Sequence, residues 1–262
     1  MVRAQFDPRL VEEAVLLRIE SGPAVLRREF RHERDALYET RDAEARDREF
    51  DRLHERWFGR FDLGAPVFAA LREHGLDLRN VSGVFVLSAV SAKEEGADLH
   101  ASTSSVASGR HPLLATGTPP PSRWAQGCPR RVGLRALTPR LVIRLRPVTL
   151  ASGETVLPLL RPELLHVADM LDPSFAYERT AAESGERPIA ELRKARYRVL
   201  WDTTIDGRLF NRGLLSPGAV ARRRSEFSLL FPESPESKAR FRDLLHGPRP
   251  SHAELWKEAV RS

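Results

Sequence analysis

From Ala24 to about Arg60 charged residues outnumber all others, and the apolar ones, Val25, Leu26, Phe30, Leu37, Phe50, Leu53 and Trp57, with Phe61 just beyond, recur at three-to-four-residue spacings. A segment this polar can join a core only along a narrow stripe. The spacing predicts one or two long amphipathic helices, with acids and arginines at i,i+4 along the exposed side. Upstream, Asp7-Pro8 is a cap followed by a first helical turn, and Leu10, Val11, Ala14, Val15, Leu17 and Ile19 form a helical stripe over Leu10–Glu20. Ser21-Gly22-Pro23 breaks that helix, and Pro66–Glu73 reads as a shorter one ending near Gly75. The first 75 residues therefore read as helical.

Beyond them the pattern changes. Val81–Val90 is apolar and β-branched and predicts a strand. Residues 101–131 are rich in Ser, Thr, Gly and Pro and predict a long loop. Val132–Leu137 and Leu141–Leu150 read as strands. Ala151–Glu154 reads as a turn and Thr155–Leu160 as a returning strand, which together make a hairpin. A helix is expected to open at Arg161-Pro162, with proline in the first turn. Ala190–Leu209, weakened or ended by Gly207 and Gly213, and Ser216–Phe231 read as further helices; after a break at Pro232–Pro235 come Lys238–Leu245 and Ala253–Val260. The fold class is α+β: a helical N-terminal region, 1–75, and an α+β region, 76–262, in which a small mixed or antiparallel sheet packs against helices. The two regions are compatible with one continuous domain, and no repeat of fixed period is present.

At 262 residues and 41% hydrophobic, the chain has enough apolar surface for a core. It contains no apolar run long enough to cross a membrane, and Met1–Pro8 lacks the apolar stretch of a signal peptide. The single cysteine, Cys128, excludes an internal disulfide and a cysteine-based metal site, and no histidine near it in sequence points to a nucleophile. The expected compartment is the cytoplasm. A net charge of +6 raises the question of nucleic acid. The cations are nearly all arginine, with lysine only at Lys93, Lys194, Lys238 and Lys257, as in GC-rich coding, and the arginines alternate with acids. The tight basic cluster, Arg222-Arg223-Arg224, reads as a solvated helix face. Nucleic acid is not the expected partner.

The segment Arg161-Pro162-Glu163-Leu164-Leu165-His166-Val167-Ala168-Asp169 carries the chemistry. It resembles the active helix of zincin metallopeptidases, His-Glu-x-x-His, in which two histidines one turn apart share a zinc ion and the glutamate is general base for the zinc-bound water. Glu163 matches the glutamate and His166 the second histidine, while Pro162 stands where the family has the first. On a helix, positions 162, 166 and 169 fall within about 60° of one another. The resemblance implies Glu163 as base, His166 as ligand and Asp169 as a carboxylate orienting the site or joining it. Asp202 or Asp206, one turn apart on the helix around Arg196–Arg208, is the candidate third ligand, with His100 and His111 as further candidates. It implies zinc as cofactor and a peptide or protein as substrate if active. With Pro162 in a ligand position, hydrolysis is expected to be impaired or lost.

Each feature also has a plain structural explanation. Pro162-Glu163 is an ordinary helix opening, with the acid at the positive end of the dipole. His166 and Asp169 can form a hydrogen-bonded pair, and Asp202 and Asp206 can pair with Arg198 and Arg208. His32-Glu33 and His54-Glu55 lack a second histidine and read as exposed helix faces, and Leu200-Trp201 reads as core. No nucleophile elbow, phosphate-binding loop or dinucleotide fingerprint is present. The alternative function is a non-enzymatic interaction module that presents the charged N-terminal helices to a protein partner.

Overall fold

A computed structural model describes residues 4–74, 76, 80–100, 138–178 and 187–261. The expected loop at 101–131, the strand at 132–137, Cys128 and His111 lie outside the described residues. The fold is α+β, with ten α-helices and one mixed four-stranded sheet among the described residues. The chain forms two compact units, Met1–Leu160 and Arg161–Ser262.

In the first unit, strand β1 (Ala4–Phe6) leads into α1 (Pro8–Glu20), where the Asp7 side chain accepts a hydrogen bond from the Arg9 N–H and Pro8 occupies the first turn. Leu10, Val11, Ala14, Val15 and Ile19 are buried, one stripe of the helix. The charged stretch forms α2 (Ala24–Ala36), a 3-10 turn at Leu37–Glu39, and α3 (Ala43–Arg60), which is capped by Asp42. Only Phe30 of α2 is buried, in edge contact with Trp57 of α3 at 5.4 Å between ring centroids. Glu29 pairs with Arg60 and Glu33 with Arg56 across the two helices, exposed pairs that fix orientation more than stability. His54 is not on an exposed face as expected: it is buried beside Phe30, and burial lowers its proton affinity. Helix α4 (Ala65–Glu73) follows.

The sheet is completed by β2 (Val84–Ser88), β3 (Gly96–His100) and β4 (Arg140–Leu145), in the order β1-β2-β4-β3. β1, β2 and β4 run parallel, with Ala4 opposite Val84 and Val84 opposite Leu141; β3 is antiparallel to β4. Val84, Val86, Leu141, Ile143 and Leu145 are buried.

The expected hairpin is replaced by two helices. The strand beginning at Leu141 ends at Leu145, because Pro147 opens α5 (Pro147–Ser152) instead of continuing it. Buried Glu95 fastens this corner, accepting from the Arg146 backbone N–H at 2.9 Å and from its guanidinium at 3.0 Å. Burial alone would raise the Glu95 carboxyl, but hydrogen bonds from Thr149 and Arg146 bring it below the usual carboxylate range. Gly153, at a φ of 71°, ends α5, and the segment expected to return as a strand is the start of α6 (Val156–Leu171). Pro162 therefore lies inside a helix and does not open one. Val156, Leu160, Leu164 and Val167 are all buried, at spacings of four, four and three, so burial of this stripe offsets the backbone bond that proline cannot donate.

The second unit contains the later turns of α6 with α7 (Arg187–Asn211), α8 (Pro217–Leu230), α9 (Pro235–His246) and α10 (His252–Val260). Ser216, Ser234 and Ser251 cap the last three, Ser251 in a reciprocal capping box with Glu254. Phe175, Leu200, Trp201, Ile205, Phe241 and Leu255 lie in its core. Gly207 does not interrupt α7: a Cβ there would sit 2.1 Å from the Leu245 carbonyl oxygen of α9, so the missing side chain lets the two helices pack closely at this point. Gly213, at a φ of 71°, follows the helix end. Among the described residues no helix is long and apolar enough to cross a membrane.

Candidate functional site

The segment singled out in the sequence lies on the α6 turns of the second unit, and α7 supplies the facing residues. Asp169 has no solvent exposure. Its carboxylate accepts two bonds from Arg208 (2.8 and 2.6 Å), one from Arg249 (2.8 Å) and one from the Trp201 indole N–H (2.8 Å). Both oxygens are thus occupied by donors. Trp201 also stands edge-on to the His166 ring, 4.4 Å between centroids, and stacks on Phe175.

The carboxylate that meets His166 is Asp202, with Nε2 to Oδ1 at 2.9 Å, both side chains largely buried. The other Asp202 oxygen accepts from Arg223 of α8 at 3.0 Å, and Arg198 lies 3.8 Å away. Asp206, one turn further along α7, accepts from Arg223 Nε at 2.7 Å. Burial works to raise the Asp202 carboxyl, but the His166 hydrogen bond and the nearby Arg223 and Arg198 charges carry it below its ordinary value. At Asp206 burial prevails over Arg223, and the like charges of Asp202 and Glu226 add to it, so that carboxyl is raised.

Of the residues named in the sequence, the structure brings His166 and Asp202 together, holds Asp169 with Arg208 and Arg249, and sets Arg223 against Asp202 and Asp206. Asp169 is the anchor of two arginines, and Arg208 pairs with it across helices while its Nε donates to the Thr204 carbonyl oxygen one turn back on α7. Arg222 and Arg224 are exposed as expected for a solvated face, but Arg223 between them is turned inward. Glu163 sits partly buried one turn before His166. His100 lies at the end of β3 in the first unit. Sequence reasoning names Arg208 only as a partner of Asp202 and Asp206, reads Arg223 as solvated and does not single out Arg249, because one arginine among many looks alike in composition; the burial of its partner aspartate distinguishes it.

A catalytic zinc site needs three protein ligands with lone pairs free to face the metal. The residues present do not fit one: Pro162 offers no donor, Asp169 is saturated by guanidinium and indole hydrogens, and Arg223 bridges Asp202 and Asp206. Among the described residues no three His, Cys, Asp or Glu side chains converge as a metal-holding group.

A neighbouring network has an acid-sensitive part. Asp172 is paired with Arg249, and its Oδ1 also accepts from the Ser174 N–H at 2.8 Å. The Arg249 hydrogen bond first, then those from Ser174, hold its carboxyl at about 2. A carboxyl lowered by folding stabilises the native state fully above its ordinary value of 3.8, and that contribution disappears as pH falls towards 2. Urea midpoints measured from pH 5 down to 2.5 should therefore fall below about pH 4, and Asp172→Asn should flatten part of that descent. Parallel curves for the two proteins would contradict the assignment.

In the same unit, Tyr197 Oη and His252 Nδ1 are 2.7 Å apart, packed by Tyr177 and Trp256. Burial lowers His252 and raises Tyr197, which keeps both neutral near pH 7. No family model, curated protein or solved structure matches this chain.

Proposed function

We propose that this chain is a zincin-like metallopeptidase homologue in which zinc-dependent hydrolysis is impaired or lost. The observation that supports it is the buried contact between His166 Nε2 and Asp202 Oδ1. A histidine three residues after a glutamate on one helix faces a carboxylate from the next, so the residue that matches the motif's second histidine lies beside a downstream carboxylate. Pro162 accounts for the loss. It removes one donor and leaves Glu163 without a metal-bound water to act on. We place the chain in the cytoplasm, with a peptide or protein as the bound partner.

The test is zinc content, measured by elemental mass spectrometry on untagged natural protein and on Pro162→His. A measurable gain of zinc in the variant over the natural protein is the expected result. Zinc in neither, with both folded, would overturn the reading. It would then favour an interaction role for α2 and α3, where Val25 of α2 and Tyr38 of the turn between them are exposed and only Phe30 of α2 is buried.

A further inference from the structure

We infer that Arg223 is a built-in cation of this site, occupying the carboxylates that a metal would need; the inference rests on the metallopeptidase-homologue reading above. Asp202 and Asp206 lie at i,i+4 on one face of α7, both largely buried, and two such carboxylates repel each other unless a positive charge lies between them. Arg223 provides it from a different helix. Its Nε donates to Asp206 at 2.7 Å, and its Nη1 donates to Asp202 at 3.0 Å and to Glu226 at 2.6 Å. The side chain is only 21% exposed, whereas Arg222 and Arg224 beside it face solvent.

The arrangement divides Asp202 in two. One oxygen faces His166 Nε2 and the other faces the guanidinium. A divalent ion coordinated by His166 and Asp202 would therefore meet a fixed positive charge on the same carboxylate, in surroundings where charges are poorly screened. Arginine keeps that charge at every accessible pH and spreads it over a planar fork that binds two carboxylates at once. The absent ligand at Pro162 and the inward Arg223 thus act in the same direction. One removes a donor, and the other neutralises the remaining carboxylates, so that α6, α7 and α8 are joined at this point without metal. Restoring the histidine alone should yield a weak site, and removing the arginine as well should yield a strong one.

The experiment uses four full-length proteins: natural, Pro162→His, Arg223→Gln and the double variant. Zinc affinity is read by competition with a chromophoric chelator, coordination by the visible spectrum of the cobalt-loaded protein, and folding by far-UV circular dichroism. The double variant should bind zinc on the order of 10–100-fold more tightly than Pro162→His, the range found when groups around metal ligands are altered. It should also show a tetrahedral cobalt spectrum and a melting temperature raised by zinc. Equal affinity in Pro162→His and the double variant would overturn the role of Arg223 while leaving the homologue reading intact. Zinc binding by neither, with both folded, would overturn both. If the double variant is unfolded without metal, zinc is titrated into it: refolding at micromolar zinc supports the inference, and no refolding overturns it.

Discussion

Asp169→Asn should destabilise the second unit by about 3–5 kcal/mol, the usual cost of leaving buried charge without its partner. The size follows from the geometry. The carboxylate is fully buried and receives four hydrogen bonds, three of them from Arg208 and Arg249. Asparagine has nearly the same shape but one acceptor oxygen, no negative charge, and an amide whose hydrogens would point at guanidinium hydrogens. Two arginines that converge on one anion would then repel each other at close range. Urea unfolding followed by circular dichroism and tryptophan fluorescence checks the figure. A loss below about 1 kcal/mol would mean that the guanidiniums escape to solvent, and that the network is no stronger than a surface ion pair.

Gly207→Ala comes second in expected effect, and there two principles oppose each other. Alanine favours a helix interior over glycine by about 1 kcal/mol, so on α7 considered alone the substitution should stabilise. The new methyl, however, would lie 2.1 Å from the Leu245 carbonyl oxygen and 2.7 Å from its carbon, both backbone atoms that cannot rotate away. Overpacking of a core costs about 1–3 kcal/mol, and more where backbone must move. The clash wins, and a net loss near 3 kcal/mol is expected in the same unfolding measurement. Any gain in stability would show that α7 and α9 separate easily at this crossing.

Local signals made most helices legible. Asp7-Pro8 announced α1, and Leu53 and Trp57 of α3 and Val199, Leu200, Trp201 and Ile205 of α7 are buried, whereas Leu192, also read as an apolar anchor of α7, is exposed. The misreadings share one physical cause. Thr155–Leu160 is a short apolar run, and such a run fits a buried strand or a buried helix equally until it is extended. Extended to Leu164 and Val167, its period is helical, and the two prolines within it do not break the turn because Pro158 lies near the helix start and Pro162 is carried by packing. Leu141–Leu150 misled in the same way, since Pro147 marked a helix start inside an apolar run. β1, only three residues long, is too short for its alternation to register. At the candidate site, helical geometry groups positions 162, 166 and 169, and His166 meets α7 at Trp201 and Asp202. The choice among Asp169, Asp202 and Asp206 depended on arginines from α7, α8 and the Arg249 segment, and no spacing rule connects them to α6.

The order of strands in the sheet carries a consequence for the nascent chain. β1 is synthesised first, yet its partner β2 begins only at Val84, and β4, which both β2 and β3 flank, begins only at Arg140. At ordinary translation speed the first and last strands emerge on the order of ten seconds apart. From the emergence of β2 until that of β4, Val84 and Val86 have no complete sheet to enter, while α1 to α4 are already available on the ribosome. Segments such as α2 and α3 suit that wait: they form turns from local contacts and leave few apolar side chains for an unfinished chain to expose. The polar helices are therefore expected to form before a sheet whose topology closes late.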